Sequence, residues 1–219
     1  VRTGRIGAAA CTAAALACAG PAVARGAATL LVFEPAFTGA GINPCFDRQA
    51  RHRQRLDLQK EITQAPGLPP KLTSCMVPAG FAAKAATKDM VVGLYAAIGP
   101  ERHPRTPMPA TGTDAFELVV LSGPTADQDT DYNRWYDREH IPAVLENPGF
   151  TAAQRLRLVS SDAPSGYALP PYGAWYAFRS GDWTGIMNGI RHKLATGEVR
   201  SSPAFDYKTG VNRYYALVP

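Results

Sequence analysis

Residues 132–142 read Tyr-Asn-Arg-Trp-Tyr-Asp-Arg-Glu-His-Ile-Pro, and this stretch holds the residue types best suited to moving protons. Asn133, Tyr136 and His140 are spaced i, i+3 and i+7, which places them on one face of a helix. Histidine is the side chain whose unperturbed pKa lets it both give and take protons near neutrality. His140 beside Tyr136 is therefore a candidate acid or base for a bound phenol or enol, with Asn133 and Trp135 as neighbours. Asp137, three residues before His140, is placed to orient or charge-stabilise the imidazole. The competing reading is structural: His140 bonds a backbone carbonyl freed by Pro142, and Trp135 and Tyr136 fill core. Trp175, Tyr176, Trp183, Tyr214 and Tyr215 line an aromatic-accepting pocket in the functional reading and are ordinary core in the structural one.

The elements that must position these residues are legible after residue 114. Phe116–Leu121 reads as a strand closed by Gly123-Pro124, and Asp129 or Thr130 caps a helix running from Asp131 through a perturbation at Pro142 to Glu146. Asn147-Pro148-Gly149 stops that helix. Ala153–Val159 alternates, with Gln154, Leu156 and Leu158 on one face and Arg155, Arg157 and Val159 on the other. Ala174–Arg179 is a third strand, Asp182 caps a second helix from Trp183 to about Thr196, and Asn212–Val218 is the last strand. The order is β-α-β-β-α-β, the split βαβ plan of a ferredoxin-like module.

The first half reads as a degenerate copy of that plan. Thr29–Phe33 is a strand, Phe46–Gln64 a helix ending at Pro66-Gly67-Leu68, and Leu72–Val77 and Met90–Ile98 two further strands. Aligning Phe46-Asp47-Arg48 with Tyr132-Asn133-Arg134 puts Gln54 opposite His140 and leaves His52 out of register, so this half is expected to be scaffold. Gly99–Thr113, with five Gly and Pro positions inside it besides its ends, reads as a linker that denies both helix and central strand. The expected divisions are 1–24, 25–98, 99–113 and 114–219.

The N-terminal segment has the parts of a secretory signal: Arg2 and Arg5, an apolar stretch from Ile6 to Ala19, and the small-x-small run Ala22-Val23-Ala24. The stretch is shorter than the roughly 20 apolar residues that span a bilayer. Export to a periplasmic or extracellular compartment is the expectation, with a cytoplasmic chain if the segment is no signal and no stable membrane span after processing. Lipid attachment at Cys18 ranks below that. Loss of Cys11 and Cys18 leaves Cys45 and Cys75, which either form one bridge or remain two buried thiols. Neither has a partner at metal-ligand spacing.

The 219 residues carry 23 basic and 18 acidic side chains, a net charge of +5, with no basic run long enough to track a phosphate backbone. Arg48, Arg51, Arg53 and Arg55 read as the solvated face of the expected first-half helix, and nucleic acid is not an expected partner. No dinucleotide, phosphate-loop, nucleophile-elbow or zinc-protease motif is present.

The segment from Tyr132 to Pro142 followed by Pro148-Gly149-Phe150 resembles the N-x-W-Y-x-x-x-H-x-P…P-G-F signature of EthD-like members of the dimeric α+β barrel superfamily. Ala153-Gln154-Arg155, the aromatic third strand and Gly197-Glu198 are similar as well. The resemblance implies an α+β fold of paired ferredoxin-like modules, whose sheets pack face to face within one chain or in a homodimer, and a ligand cavity between helices and sheet. It also implies a functional role for the residue matching His140. Carried over in this way, the candidate site is His140 and Tyr136 as catalytic residues, with Asn133, Trp135, Arg155 and Tyr176 contacting substrate. The expected function is a cofactor-independent acid/base enzyme, of cyclase, dehydratase, isomerase or monooxygenase type, on a small aromatic or polyketide-like molecule. The alternative is a non-catalytic small-molecule binding or accessory protein. Some relatives bind haem through a histidine, but nothing at His52, His103, His140 or His192 asks for one, so no cofactor or metal is expected.

Overall fold

The computed structural model describes residues 27–63 and 65–218. The expected signal segment, residues 1–24, lies outside the described residues. Among the described residues there are eight strands: β1 Ala27–Glu34, β2 Arg51–Thr63, β3 Lys71–Pro78, β4 Val91–Arg102, β5 Ala115–Ser122, β6 Phe150–Asp162, β7 Tyr172–Arg179 and β8 Val211–Val218. Helices are few: α1 Asp129–Trp135, a π turn Tyr136–His140, α2 Ile141–Leu145 in line with it, α3 Trp183–Ala195, and a 3-10 turn at Pro44–Phe46. No helix among the described residues is long and apolar enough to cross a membrane.

The strands close into one antiparallel barrel in the order β1-β3-β2-β8-β5-β7-β6-β4. This overturns the expected paired ferredoxin-like α+β halves with separate sheets stacked face to face. The hydrogen-bond ladder does not stop at the edge of either half. It continues across β2–β8, where Leu56 opposes Leu217, and across β4–β6, where Tyr95 opposes Leu158. Closure leaves no unpaired edge to be protected, and the two seams are carried by three of the longest strands, of 13, 12 and 13 residues. Among the described residues, strand far outweighs helix.

The largest single correction is the helix expected over 46–64. The charge density there suggests a solvated helical face, but Leu56 and Leu58 pack into the barrel core while Arg55 and Asp57 alternate with them, which is the period of a strand. Pro100 does not end β4. It falls where the β4–β6 register shifts between Ile98 and Arg102, the irregular position at which a sheet tolerates proline.

Three apolar clusters follow from the closure. One draws on every strand and fills the lumen, with Leu31, Leu56, Tyr95, Leu121, Trp175 and Tyr215 among its members. The crevice among Thr29, Glu101, Gln154 and Trp175 has a volume of about 10 Å³, enough for one water, so the lumen is packed core. A second cluster covers the outer face of β5–β8 with α1, α2 and α3. The third lies on the outer face of β1, β3 and β4, where Phe81, Ala83 and Ala85 of a loop pack on it in place of a helix. A disulfide between Cys45 and Cys75 staples the 3-10 turn to β3, with 5.7 Å between Cα atoms and a sequence separation of 30. Beside it the buried Glu34 accepts from Asn43 Nδ2 at 2.7 Å, from Thr73 Oγ1 at 2.7 Å and from Thr38, so its carboxyl oxygens are hydrogen-bonded beneath the loop.

Glu117 is buried in the lumen, where Trp175 Nε1 donates to its carboxylate at 2.6 Å. Burial pushes its pKa up to about 8 against the lowering effect of that hydrogen bond. The unfolded chain releases this proton at ordinary glutamate pH and the native state keeps it, so stability falls as pH rises from that range to about 8. Glu117→Gln should flatten this slope in urea unfolding measured at pH 5, 7 and 9; an unchanged slope refutes the assignment. Replacing Cys45 and Cys75 by Ala should lower the unfolding free energy by about 3–4 kcal/mol, the loop-closure value for a span of this length, read from denaturant midpoints against the oxidised wild type.

Candidate functional site

The site lies between the α1–α2 segment and the outer face of β6 and β7. Helix α1 begins at Asp129 with Asp129 and Asp131 in its first turn, where carboxylates suit the positive end of the helix dipole. The helix then widens: the Ile141 N–H bonds the Tyr136 carbonyl, five residues back. In that register Pro142, which has no N–H, leaves the Asp137 carbonyl unpaired, and Arg102 Nη1 of β4 donates to it. The carbonyl freed by the proline is thus satisfied by an arginine from the other half of the barrel, and not by His140.

The wider turn changes which rings meet. Residues five apart on a regular α-helix are about 140° apart around the axis, yet Trp135 and His140 stack with centroids 4.5 Å apart. Tyr136 stands edge-on to His140 at 5.1 Å. Trp135 is anchored from behind, its Nε1 donating to the Arg200 carbonyl at 2.8 Å. The chain leaves α2 through Asn147-Pro148-Gly149. Gly149 has φ +78, and a Cβ there would collide with the Arg179 carbonyl oxygen. The signature's glycine is thereby explained by backbone packing.

Arg155 projects from β6 toward the helix and is only 2% exposed. A buried guanidinium needs compensation. It donates from Nη2 to Asn133 Oδ1 at 2.7 Å, its Nη1 lies 3.4 Å from Asp137 Oδ1, and its centre sits 4.3 Å over the Tyr136 ring. Asn133 also donates to the Asp129 carbonyl at 2.9 Å, so its amide positions Arg155. Asp137, expected to orient His140, instead faces Arg155 and Arg102, at 3.4 Å and 3.5 Å.

All six sequence-derived residues, Asn133, Trp135, Tyr136, His140, Arg155 and Tyr176, are gathered on this one cluster. Tyr176, on β7, is fully buried, and burial raises its phenol well above the ordinary value. Four polar atoms here are shut off from solvent with no protein hydrogen-bond partner: Tyr136 OH, Tyr176 OH, His140 Nδ1 and Arg155 Nε. The Tyr136 hydroxyl lies beside the Ser122–Tyr132 pair, bonded at 2.7 Å, without making a bond of normal geometry to either. Burial pushes the Tyr136 phenol up to about 12. Burial first, and the Arg155 charge second, hold His140 down at about 4, a neutral imidazole at physiological pH. No group of acidic, histidine or cysteine side chains among the described residues could hold a metal.

Sequence reasoning missed Tyr132, Ser122 and Arg102. Tyr132 is four residues before Tyr136 and could have been found by helical spacing. Arg102 could not, because only the β4–β6 seam brings it to α1.

No family model matches the chain, and no curated protein matches it in sequence. Among solved structures, an anthrone oxidase-like protein superposes with a TM-score of 0.55 at 10% identity, over 88% of this chain and 91% of that one. A major regulator of staphylococcal pathogenesis gives a TM-score of 0.44 at 11% identity over 87% and 99%, too low to carry an argument. The first likeness is a distant relationship of fold; no family match attaches the chain to the EthD-like proteins.

NMR titration of the His140 ring should find it neutral down to about pH 4. Arg155→Gln should raise that midpoint and Arg155→Lys should keep it low, since the cation and not the packing supplies the second cause. A midpoint near 6.5 in wild type contradicts this picture of the site.

Proposed function

We propose that the cluster around Arg155 and His140 takes up a small planar aromatic molecule bearing a phenol or enolisable ketone, and that it catalyses proton transfer on it without a cofactor. One observation carries this reading. Four buried polar atoms, two phenol hydroxyls, an imidazole nitrogen and a guanidinium nitrogen, lie on side chains packed among aromatic rings and have no protein partner. Buried polar groups in native proteins are nearly always paired, and those that are not call for an explanation such as a ligand. The rings favour a flat apolar body, and the polar atoms favour an oxygen that becomes an anion. A surface groove of about 290 Å³ includes Ile141 and Pro142, directly after His140 in the chain.

In the proposed step, His140 takes a proton from the acidic C–H or O–H of the ligand, and the resulting enolate or phenolate is stabilised by Arg155. The two events assist each other. Burial first and the Arg155 charge second make the imidazolium unfavourable, and an anion between the two cations offsets their repulsion, so the base strengthens as the anion forms. Tyr136 and Tyr176, kept protonated by burial, donate to the oxygen. This proton transfer is shared by cyclisations, dehydrations, isomerisations and oxygenations of such compounds. A non-catalytic binding role is the second reading, favoured by the low basicity of free His140.

The fold neighbour's description makes anthrone a suitable first probe, beside 1-naphthol. Wild type should bind one or both and accelerate exchange of anthrone's acidic hydrogens in deuterated water. His140→Ala should bind about tenfold more weakly, the loss of one good hydrogen bond, and lose the exchange. Binding without exchange in wild type selects the second reading, and equal binding by both proteins removes the site.

A further inference from the structure

The opposite side of the barrel carries an arginine pair that the proposed reaction does not use. Strand β2 begins with a bulge. Arg51 opposes Met76, but Gln54 opposes Ser74, so one extra residue is inserted, and His52 takes the left-handed φ of +49. The bulge resets the alternation so that Arg53 and Arg55 follow on the outer face beside the 3-10 turn. Their guanidiniums are layered with aromatic rings. Arg53 lies 3.9 Å over Phe46, and Arg55 lies 5.2 Å from Phe46 and 5.4 Å from Phe37.

Each arginine is also pinned by one backbone carbonyl. Arg53 Nε donates to Cys45 at 3.0 Å, and Arg55 Nη2 donates to Thr38 at 3.1 Å. These partners hold the side chains in place without neutralising them. No carboxylate among the described residues forms an ion pair with either: Asp57 is taken by Lys71 at 2.5 Å, and Glu34 by its buried hydrogen bonds. Arg55 Nε is shut off from solvent and has no partner. The pairing of β2 with β8 ends at Arg55 opposite Val218, and at this end of the seam a groove of about 380 Å³ opens. Phe46, Arg53, Gln54, Arg55, Leu217 and Val218 line it.

We propose that this groove is a binding site for a small amphiphilic organic anion, with the carboxylate, sulfonate or phosphate on Arg53 and Arg55 and an apolar body against Leu217 and Val218. The volume suits a small-molecule ligand. Two guanidiniums already fixed by stacking and carbonyl contacts lose little freedom on taking an oxyanion in a fork. Inorganic anions would satisfy the arginines and leave the aliphatic wall unused. Simple aromatic neutrals would use the wall and leave the charges unmet. The disulfide bears directly on this site, because Cys45 supplies the carbonyl that holds Arg53 and lies next to Phe46.

Calorimetric titration of the full chain with 2-naphthoate, 2-naphthamide and inorganic sulfate tests the assignment. Naphthoate should bind one per chain, at least tenfold tighter than either comparator. Arg53→Gln and Arg55→Gln should each weaken it about tenfold, and their combination should abolish it. Arg53 is exposed, so that variant should melt like wild type and report binding alone. His140→Ala should bind naphthoate normally, which separates this groove from the cluster under the helices. Naphthoate binding that is undetectable in wild type, no tighter than that of the comparators, or unchanged in the double variant overturns the proposal.

Discussion

Barrel closure is the constraint on which everything else rests. Because the ladder runs unbroken through β2–β8 and β4–β6, every strand has a lumen face and an outer face, and a shift of one residue would exchange them. On β6 this sends Gln154 and Leu156 inward and Arg155 outward to the helix. On β5 it buries Glu117 against Trp175 in the lumen while Leu118 and Val120 support the helices. The same parity, reset by the bulge at His52, sets Arg53 and Arg55 on the outer surface.

The two outer faces are covered by different means. Over β5–β8 the α1–α2 segment and α3 lay an aromatic layer on the sheet, giving an enclosed cluster in which a charge must find its partners locally. Over β1, β3 and β4 the cover is loop, tied by the Cys45–Cys75 bridge and by Glu34. Loop cover leaves the edge of that face open, and the arginine groove lies there. One barrel thus presents a buried polar cluster on one side and an accessible cationic one on the other.

Arg155 governs the electrostatics of the enclosed side. Its charge is shared among Asn133, Asp137 and the face of Tyr136, and its presence adds to burial in keeping His140 neutral. The π turn matters because it brings His140 onto Trp135, and the carbonyl it exposes is taken by Arg102 across the seam. The helix geometry and the barrel closure therefore depend on one another at this point.

The sequence by itself determined the strands after residue 114, the helix that Pro148-Gly149 ends, the Asp182 cap and the placing of Asn133, Tyr136 and His140 on one helical segment. Those rest on local chemistry: alternation, capping and turn residues act within a few positions of where they are written. It did not determine β2, because Arg51 to Thr63 has enough charge to read as a helical face and only pairing with β3 and β8 makes it a strand. Nor could it give Asp137 its partners or reveal Glu117, whose pKa depends on a lumen that exists only once eight strands close. The disulfide was left open by the sequence and decided by the fold, which brings two cysteines 30 residues apart within bonding reach. Contacts between residues distant in the chain have no local signal to precede them, and in this protein those contacts are what close the barrel.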